Sequence, residues 1–159
     1  MKNDFTYITA RTEKEFHDGI TLFQEYANSL NISLDFQYFD EELKIISQMY
    51  GPPEGTLIIA YANNEPIACA ALRKIDAAVS EVKRMYVKPA HRGMHLGDTL
   101  LEMLIKTAVE LGYKYMRLDT LDYMIPAIRL YQKHGFYGIE PYYFNPNKNT
   151  VYMEKSLDA

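Results

Sequence analysis

Residues 81–112 carry the most information about this chain; they begin EVKRMYVKPAHRGMHLGDTLL and continue to Gly112. They predict a strand over 79–87, then a tight loop, then a long amphipathic helix from Leu96 to Leu111 that stops at Gly112. A helix N-terminus reached through such a loop binds anions, because its first amides lack intrahelical partners and the helix dipole favours negative charge. The stretch therefore predicts a site for a phosphate-bearing molecule.

The composition indicates one globular domain over residues 1–159. Hydrophobic residues make up 48% of the chain and charged residues 24%, and the net charge of −4 argues against nucleic acid as a partner. The single cysteine, Cys69, rules out a disulfide framework and a thiolate metal cluster, and it suits the cytoplasm, where we expect the protein. No signal-peptide core and no apolar run near the roughly 20 residues of a membrane span is visible, so no membrane partner is expected.

The rest of the chain alternates between strand and helix patterns. A capping box at Thr12 and Glu15 opens the first helix, and a helix is also expected at about 39–49 and at about 124–134. Besides 79–87, strands are predicted at 5–10, 56–61, 66–72, 115–120, 137–143 and 150–156. The mixture of hairpins and helical crossovers predicts a mixed sheet with helices on both faces.

Three motifs resemble the GNAT superfamily of acyl-CoA-dependent N-acyltransferases. Residues 86–97, YVKPAHRGMHLG, are similar to the coenzyme A loop of that family. Residues 127–136, AIRLYQKHGF, are similar to its Ala-x-x-Leu-Tyr-x-x-x-Gly-Phe motif, and residues 152–155, YMEK, to its closing strand. Residues 118–121 and 141–146 further resemble a bacterial subgroup of this superfamily whose substrates we cannot name.

The resemblance implies an α/β (α+β mixed) fold, with a mixed, mostly antiparallel twisted sheet of about six to seven strands and helices on both faces. It implies transfer of an acetyl group from acetyl-CoA to a small-molecule or peptide primary amine, by direct attack in a ternary complex. A non-catalytic CoA-binding sensor or interaction module, another acyl-CoA donor, and a homodimer stay open. No metal is expected, because His91, His95 and His134 have no ligand partners at a recognisable spacing.

The resemblance also assigns the cofactor site. Successive amides of Arg92–Asp98 are expected to cradle the pyrophosphate, and the backbones of Met85 and Val87 to hydrogen-bond the pantetheine arm. The alternatives are an ordinary strand-to-helix turn and plain core strand residues. The predicted cofactor-binding residues are Met85, Tyr86, Val87, Arg92, Gly93, Met94, His95, Leu96, Gly97, Asp98, Ala127 and Tyr131.

Two residues of this site depart from the family pattern. His95 stands where the family usually has its first glycine, and a left-handed conformation there would cost about 1 kcal/mol or more. We expect its amide to keep binding phosphate while the imidazole points outward. Met124 stands where many members carry an asparagine that contacts pantetheine, so that polar contact is expected to be missing.

Glu81 and Tyr131 are the predicted catalytic residues. Several family members place a catalytic glutamate where Glu81 begins its strand, and half-burial beside a cleft should raise its pKa to suit a general base. The alternative is a surface ion pair with Lys83 or Arg84. Tyr131 lies one helical turn after Ala127 and is expected to protonate the CoA sulfur; the alternative is a packed tyrosine with a satisfied hydroxyl.

The acceptor site is the least determined part of the sequence. Asp119 and Asp122 follow a strand end near the predicted cleft and could meet an ammonium group, although Asp122 could equally cap a helix. The aromatic run Tyr142–Phe144 could line an acceptor pocket or pack the last hairpin. The 31–38 loop is another candidate wall, because family members use the link between their first two helices in this way.

Overall fold

The structure, a computed structural model, describes residues 4–30 and 38–157. Its strands are β1 (Thr6–Thr9), β2 (Thr56–Ala62), β3 (Glu65–Lys74), β4 (Val79–Val87), β5 (Tyr115–Leu121), β6 (Tyr137–Ile139) and β7 (Thr150–Ser156). Its helices are α1 (Glu13–Ser29), α2 (Phe39–Lys44), α3 (Ile46–Met49), α4 (Leu96–Glu110) and α5 (Ile125–Lys133), with a short 3₁₀ helix at Pro89–His91.

The described residues form one seven-stranded sheet in the order β1-β2-β3-β4-β5-β7-β6. Every neighbouring pair is antiparallel except β4 and β5, which are parallel. α1 packs on one face of the sheet and α4 on the other, each over its own apolar cluster. The predicted fold class is therefore confirmed.

Local sequence signals place most of these elements. The Thr12 hydroxyl accepts a hydrogen bond from the Glu15 amide, and the Glu15 carboxylate accepts one from the Thr12 amide. The predicted capping box therefore starts α1. Asn63 and Asn64 both have positive φ, which is the conformation that a tight hairpin turn between β2 and β3 requires. The leucine stripe of α4, including Leu100 and Leu104, is fully buried against β2, β3 and β4. Each such leucine contributes about 1.5–3 kcal/mol of burial free energy.

The strands β4 and β5 separate soon after they meet. Their parallel pairing covers only Val79–Glu81 against Tyr115–Arg117, although both strands continue well beyond it. A β-bulge in β4 accompanies the separation: Ala71 opposes Lys83 and Cys69 opposes Tyr86, so two residues of β4 share one position on β3. The sheet consequently has a gap near its centre.

The bulge residue Arg84 has a φ of 56°, and its side chain is held by a buried ion pair. Its guanidinium donates two hydrogen bonds to the Glu42 carboxylate of α2, from Nε at 2.9 Å and from Nη2 at 2.8 Å. The ring of Phe39 lies 5.1 Å from the same guanidinium. This pairing ties α2 to the centre of the sheet and offsets the cost of burying both charges.

Two boundaries differ from those predicted, and one prediction lies mostly outside the described residues. The helix expected at about 39–49 is interrupted at Ile45, which leaves α2 and α3 as two short helices. The strand expected at 137–143 ends at Ile139, because Pro141 cannot donate to a ladder. The predicted loop at 31–38 lies outside the described residues except for Tyr38.

Within the described residues, no helix combines the length and apolar character needed to cross a membrane.

Candidate active site

A groove of about 510 Å³ runs between β4, the loop before α4, and α5. It brings together ten of the twelve predicted cofactor-binding residues: Met85, Tyr86, Val87, Arg92, Gly93, His95, Leu96, Gly97, Ala127 and Tyr131. Met94 and Asp98 are not among its lining residues. Tyr26 of α1 also lines it, a residue that no sequence motif indicated.

One wall of the groove is the edge of β4 that faces β5. From Val82 onward this edge has no pairing with β5, so its backbone can accept an added extended chain. The carbonyl of Val87 already accepts a hydrogen bond from Arg92 Nε at 3.1 Å. That contact fixes the Arg92 side chain across the end of the strand, at the start of the loop.

The loop before α4 has the conformation of an anion cradle. Gly93 has a φ of 83° and His95 a φ of 62°, and His95 is the N-cap of α4. Left-handed residues interspersed with extended ones turn successive amides toward one concavity, next to the positive end of the helix dipole. The His95 side chain is 83% exposed, so the imidazole leaves the concavity open.

Gly97 in the first turn of α4 lets that helix approach α5. A Cβ at Gly97 would lie 3.1 Å from Leu130 Cδ2, closer than ordinary side-chain packing allows. Asp98 then links the same two helices: its Oδ1 lies 2.8 Å from Lys133 Nζ and 3.0 Å from His134 Nε2. The hydrogen bond from Lys133 and the contact with His134 lower the Asp98 pKa to about 2. Asp98 therefore holds the walls of the groove together rather than lining it.

Tyr131 lies where the groove meets a second cavity. Its side chain is buried, its ring packs edge-on against Phe136, and its hydroxyl lies 3.9 Å from Met85 Sδ. Burial raises the Tyr131 pKa well above its ordinary value, so the hydroxyl keeps its proton at neutral pH. A thioether is a weak acceptor, which leaves this buried O–H able to donate to a better one.

The second cavity, which we call the gap cavity, occupies about 70 Å³ in the opening between β4 and β5. It shares Tyr26, Met85, Met124, Ala127 and Tyr131 with the groove, so the two spaces adjoin. Its other described lining residues include the polar residues Lys83, Arg84, Asp119, Thr120, Asn145 and Thr150. Met124 presents a thioether here, where the family asparagine would present an amide.

Glu81 lies in a different environment from the one predicted. It is 1% exposed; its Oε1 accepts from Arg73 Nε at 2.7 Å and its Oε2 from the Tyr142 hydroxyl at 2.5 Å. Burial by itself raises the Glu81 pKa, but the charges of Lys83 and Arg73 and the hydrogen bond from Tyr142 outweigh it, and the pKa is lowered. The expected rise in pKa is therefore wrong. The alternative was a surface ion pair with Lys83 or Arg84; the structure instead shows a buried Glu81 that pairs with Arg73.

Glu81 also lines a different space, a third cavity of about 310 Å³ on the α2 side of the sheet. Lys83 lines both this cavity and the gap cavity. Burial and the charge of Arg84 lower the Lys83 pKa. The role of Glu81 as the general base stays a prediction.

The candidate acceptor residues are spread over several places. Asp119 lines the gap cavity, and Tyr143 lines the third cavity. Tyr142 bonds to Glu81 and stacks edge-on with its neighbour Tyr143. Phe144 is 83% exposed. Asp122 is exposed and does not cap α5, whose N-cap residue has no side-chain hydrogen bond.

Within the described residues, no group of three His, Cys, Asp or Glu side chains is arranged to hold a metal ion.

Known proteins with the same sequence pattern and fold are acetyltransferases. The model of the acetyltransferase (GNAT) family matches residues 20–136. An uncharacterised N-acetyltransferase of Schizosaccharomyces pombe is 40% identical over 160 residues, which cover 99% of this chain and 98% of that protein.

Solved structures agree on the fold. A GNAT family acetyltransferase from Staphylococcus aureus Mu50 superposes with a TM-score of 0.81 at 22% identity, covering 98% of this chain and 100% of that one. A GNAT family acetyltransferase from Elizabethkingia anophelis, solved with acetyl-CoA bound, gives a TM-score of 0.65 at 21% identity, covering 98% and 99%. By its matching family model and its 40% identical relative, this chain belongs to the GNAT acetyltransferase family and is an acyltransferase.

Proposed function

We propose that this chain transfers the acetyl group of acetyl-CoA to a primary amine by direct attack in a ternary complex. One observation carries the proposal: the buried hydroxyl-bearing side chain of Tyr131 lies at the junction of a long groove and a small polar cavity. The groove suits acetyl-CoA, a long phosphate-bearing molecule. The gap cavity suits the amino end of the acceptor. Two substrates that meet at this junction would react beside a proton donor.

The residues of the groove divide the work of holding acetyl-CoA. The loop amides around Gly93, His95 and Gly97 would bind the pyrophosphate, with Arg92 adding positive charge. The free edge of β4 near Met85 would pair with the pantetheine amides as an added strand does. Acetyl-CoA then supplies an activated carbonyl at the junction.

Tyr131 would act on the leaving group. In the structure its hydroxyl already faces a sulfur atom, the thioether of Met85, at 3.9 Å. A leaving thiolate is a far stronger acceptor than a thioether, so the same O–H can hydrogen-bond and protonate it.

A thiol-release assay tests the proposal. Acetyl-CoA is incubated with the protein and a panel comprising n-butylamine, spermidine, L-lysine and a tripeptide with a free N-terminus. We expect free CoA and an acetylated amine, identified by mass spectrometry, with at least one amine and little CoA release without amine. Acetyl-CoA binding without turnover on any amine would instead support the sensor alternative, and faster turnover with propionyl- or succinyl-CoA would replace the donor.

A further inference from the structure

Asp119 lines the gap cavity at the point where the sheet opens. It lies on β5 two residues beyond Arg117, which is the last residue of β5 paired with β4. Its other neighbour is Tyr152 on β7, with which it is in register. Asp119 is the only carboxylic acid among the described residues that line the gap cavity.

Asp119 lies among charged and phenolic groups. Burial raises the Asp119 pKa, the charges of Lys83 and Arg84 oppose that rise, and Glu81 adds to it. The titratable and charged groups that face it are Lys83, Glu81 and Arg84 on β4, Tyr26 on α1, Tyr131 on α5, Tyr152 on β7, and Tyr142. Tyr26 and Tyr131 lie within electrostatic reach of the carboxylate and line the same cavity.

Glu81 is less well placed for contact with an amine. Both of its carboxylate oxygens accept hydrogen bonds, from Arg73 and Tyr142, and it is absent from the lining of the gap cavity. Asp119, in contrast, shares that lining with Tyr131 and Met85, the residues at the junction with the groove. An amine in the gap cavity would meet Asp119 and not Glu81.

The gap cavity also restricts what can reach Asp119. Its volume of about 70 Å³ has room for about five to seven water molecules at 10–15 Å³ each. A space of that size admits the amino end of an acceptor but not an extended substrate as a whole.

We propose that Asp119 binds the acceptor's amino group as an ammonium ion and then takes its proton. This inference rests on the proposed acetyl transfer and names the residue that receives the amine. Under this proposal Glu81 has a structural role, in which its carboxylate binds Arg73 and Tyr142.

The proton and electron balance of this step is complete without another reactant. Asp119 takes one proton from R–NH₃⁺, which leaves a lone pair on nitrogen. That lone pair forms the C–N bond with the thioester carbonyl carbon, the C–S bond breaks, and its electron pair leaves with sulfur. Tyr131 donates its proton to the sulfur and regains one from the nitrogen. The products are an amide and a free thiol, and Asp119 releases its proton to solvent.

The test compares two matched substitutions, Asp119→Asn and Asp122→Asn, with n-butylamine as the probe and acetyl-CoA at saturation. General-base catalysis contributes about 10²–10⁴-fold, so D119N is expected to lower kcat/KM for n-butylamine at least about 100-fold. The Kd for acetyl-CoA is expected to stay within about twofold, because Asp119 does not line the groove. D122N, an exposed change just after the same strand, should keep both constants.

Two further readouts separate proton transfer from a structural role. The acid limb of the wild-type pH profile of kcat/KM should disappear in D119N. Formate should restore part of the activity of Asp119→Ala, because it supplies a small carboxylate to the vacated space.

The outcomes distinguish this inference from the proposed function. A wild type that binds acetyl-CoA but acetylates none of the amines refutes the proposed function, and this inference with it. An active wild type whose D119N variant stays within about threefold refutes this inference alone. So does a D119A variant indifferent to formate, or an acid limb that persists in D119N and vanishes in Glu81→Gln.

Discussion

Replacing Tyr131 by phenylalanine should separate activity from stability. The substitution removes one oxygen atom and keeps the ring, which packs edge-on against Phe136 with centroids 5.8 Å apart. The hydroxyl's partner in the structure is the Met85 sulfur at 3.9 Å, a long contact to a weak acceptor. Since an ordinary intramolecular hydrogen bond contributes about 0.5–1.5 kcal/mol, losing this one should cost less than about 0.5 kcal/mol.

The catalytic loss should be much larger. A positioned general acid contributes about 10²–10⁴-fold, so Y131F should lower kcat by at least about 100-fold, which corresponds to about 2.7 kcal/mol of transition-state stabilisation. The Kd for acetyl-CoA should change less than about threefold, because the ring still lines the groove. Steady-state thiol release gives kcat, and urea denaturation gives the free energy of unfolding.

Tyr113→Phe supplies the opposite control. Tyr113 lies just after the C-terminal end of α4 and lines none of the three cavities described above. Its hydroxyl donates a hydrogen bond to the backbone carbonyl of Glu54. Y113F should cost about 0.5–1.5 kcal/mol of stability and leave kcat unchanged. A Y131F enzyme with kcat within threefold of wild type, or one whose activity falls only in proportion to its stability, would refute the role of Tyr131 as proton donor.

Three other substitutions test the supporting structure. Glu42→Gln should lower the free energy of unfolding by about 3–5 kcal/mol, because it leaves the buried Arg84 guanidinium without its counter-charge; a loss under about 1 kcal/mol in urea denaturation would contradict this. His95→Gly should raise that free energy by up to about 1 kcal/mol by relieving a left-handed residue, whereas a lower Tm would argue against strain there. The Asp98 pKa is lowered to about 2, chiefly by Lys133, so its stabilisation is present above about pH 4 and lost toward pH 2. The stability difference between wild type and Asp98→Asn should therefore shrink over that range, and a constant difference would exclude the linkage.

Local patterns were sufficient to predict most of the fold. The strands 79–87 and 150–156 have the predicted bounds, and α4 ends within one residue of its prediction. These elements are encoded by side chains close together in sequence: an alternating or 3.6-residue apolar period, a cap and a stop. The loop before α4 was likewise predictable, since its glycines and its position between a strand and a helix are visible in the sequence.

The features that could not be predicted depend on residues far apart in the chain. The bulge at Arg84 is held by Glu42, 42 residues earlier, and an arginine gives no local sign of a left-handed conformation. The lowered pKa of Glu81 depends on the charges of Lys83 and Arg73 and on a hydrogen bond from Tyr142, which lies 61 residues later in the chain. The residues on either side of Glu81 indicate a strand. No local pattern predicts which distant side chains bury its carboxylate.

The bulge also reverses the phase of β4. An uninterrupted strand would turn Val82 and Tyr86 to the same face, but here Val82, Met85 and Val87 join the cluster under α4 whereas Tyr86 joins the one under α1. The extra residue thus divides one strand into two independent halves. Substitutions before Arg84 should alter the amine side of the centre, and those after it the cofactor side. Acceptor preference can therefore diverge among chains with this bulge while the grip on the cofactor stays the same.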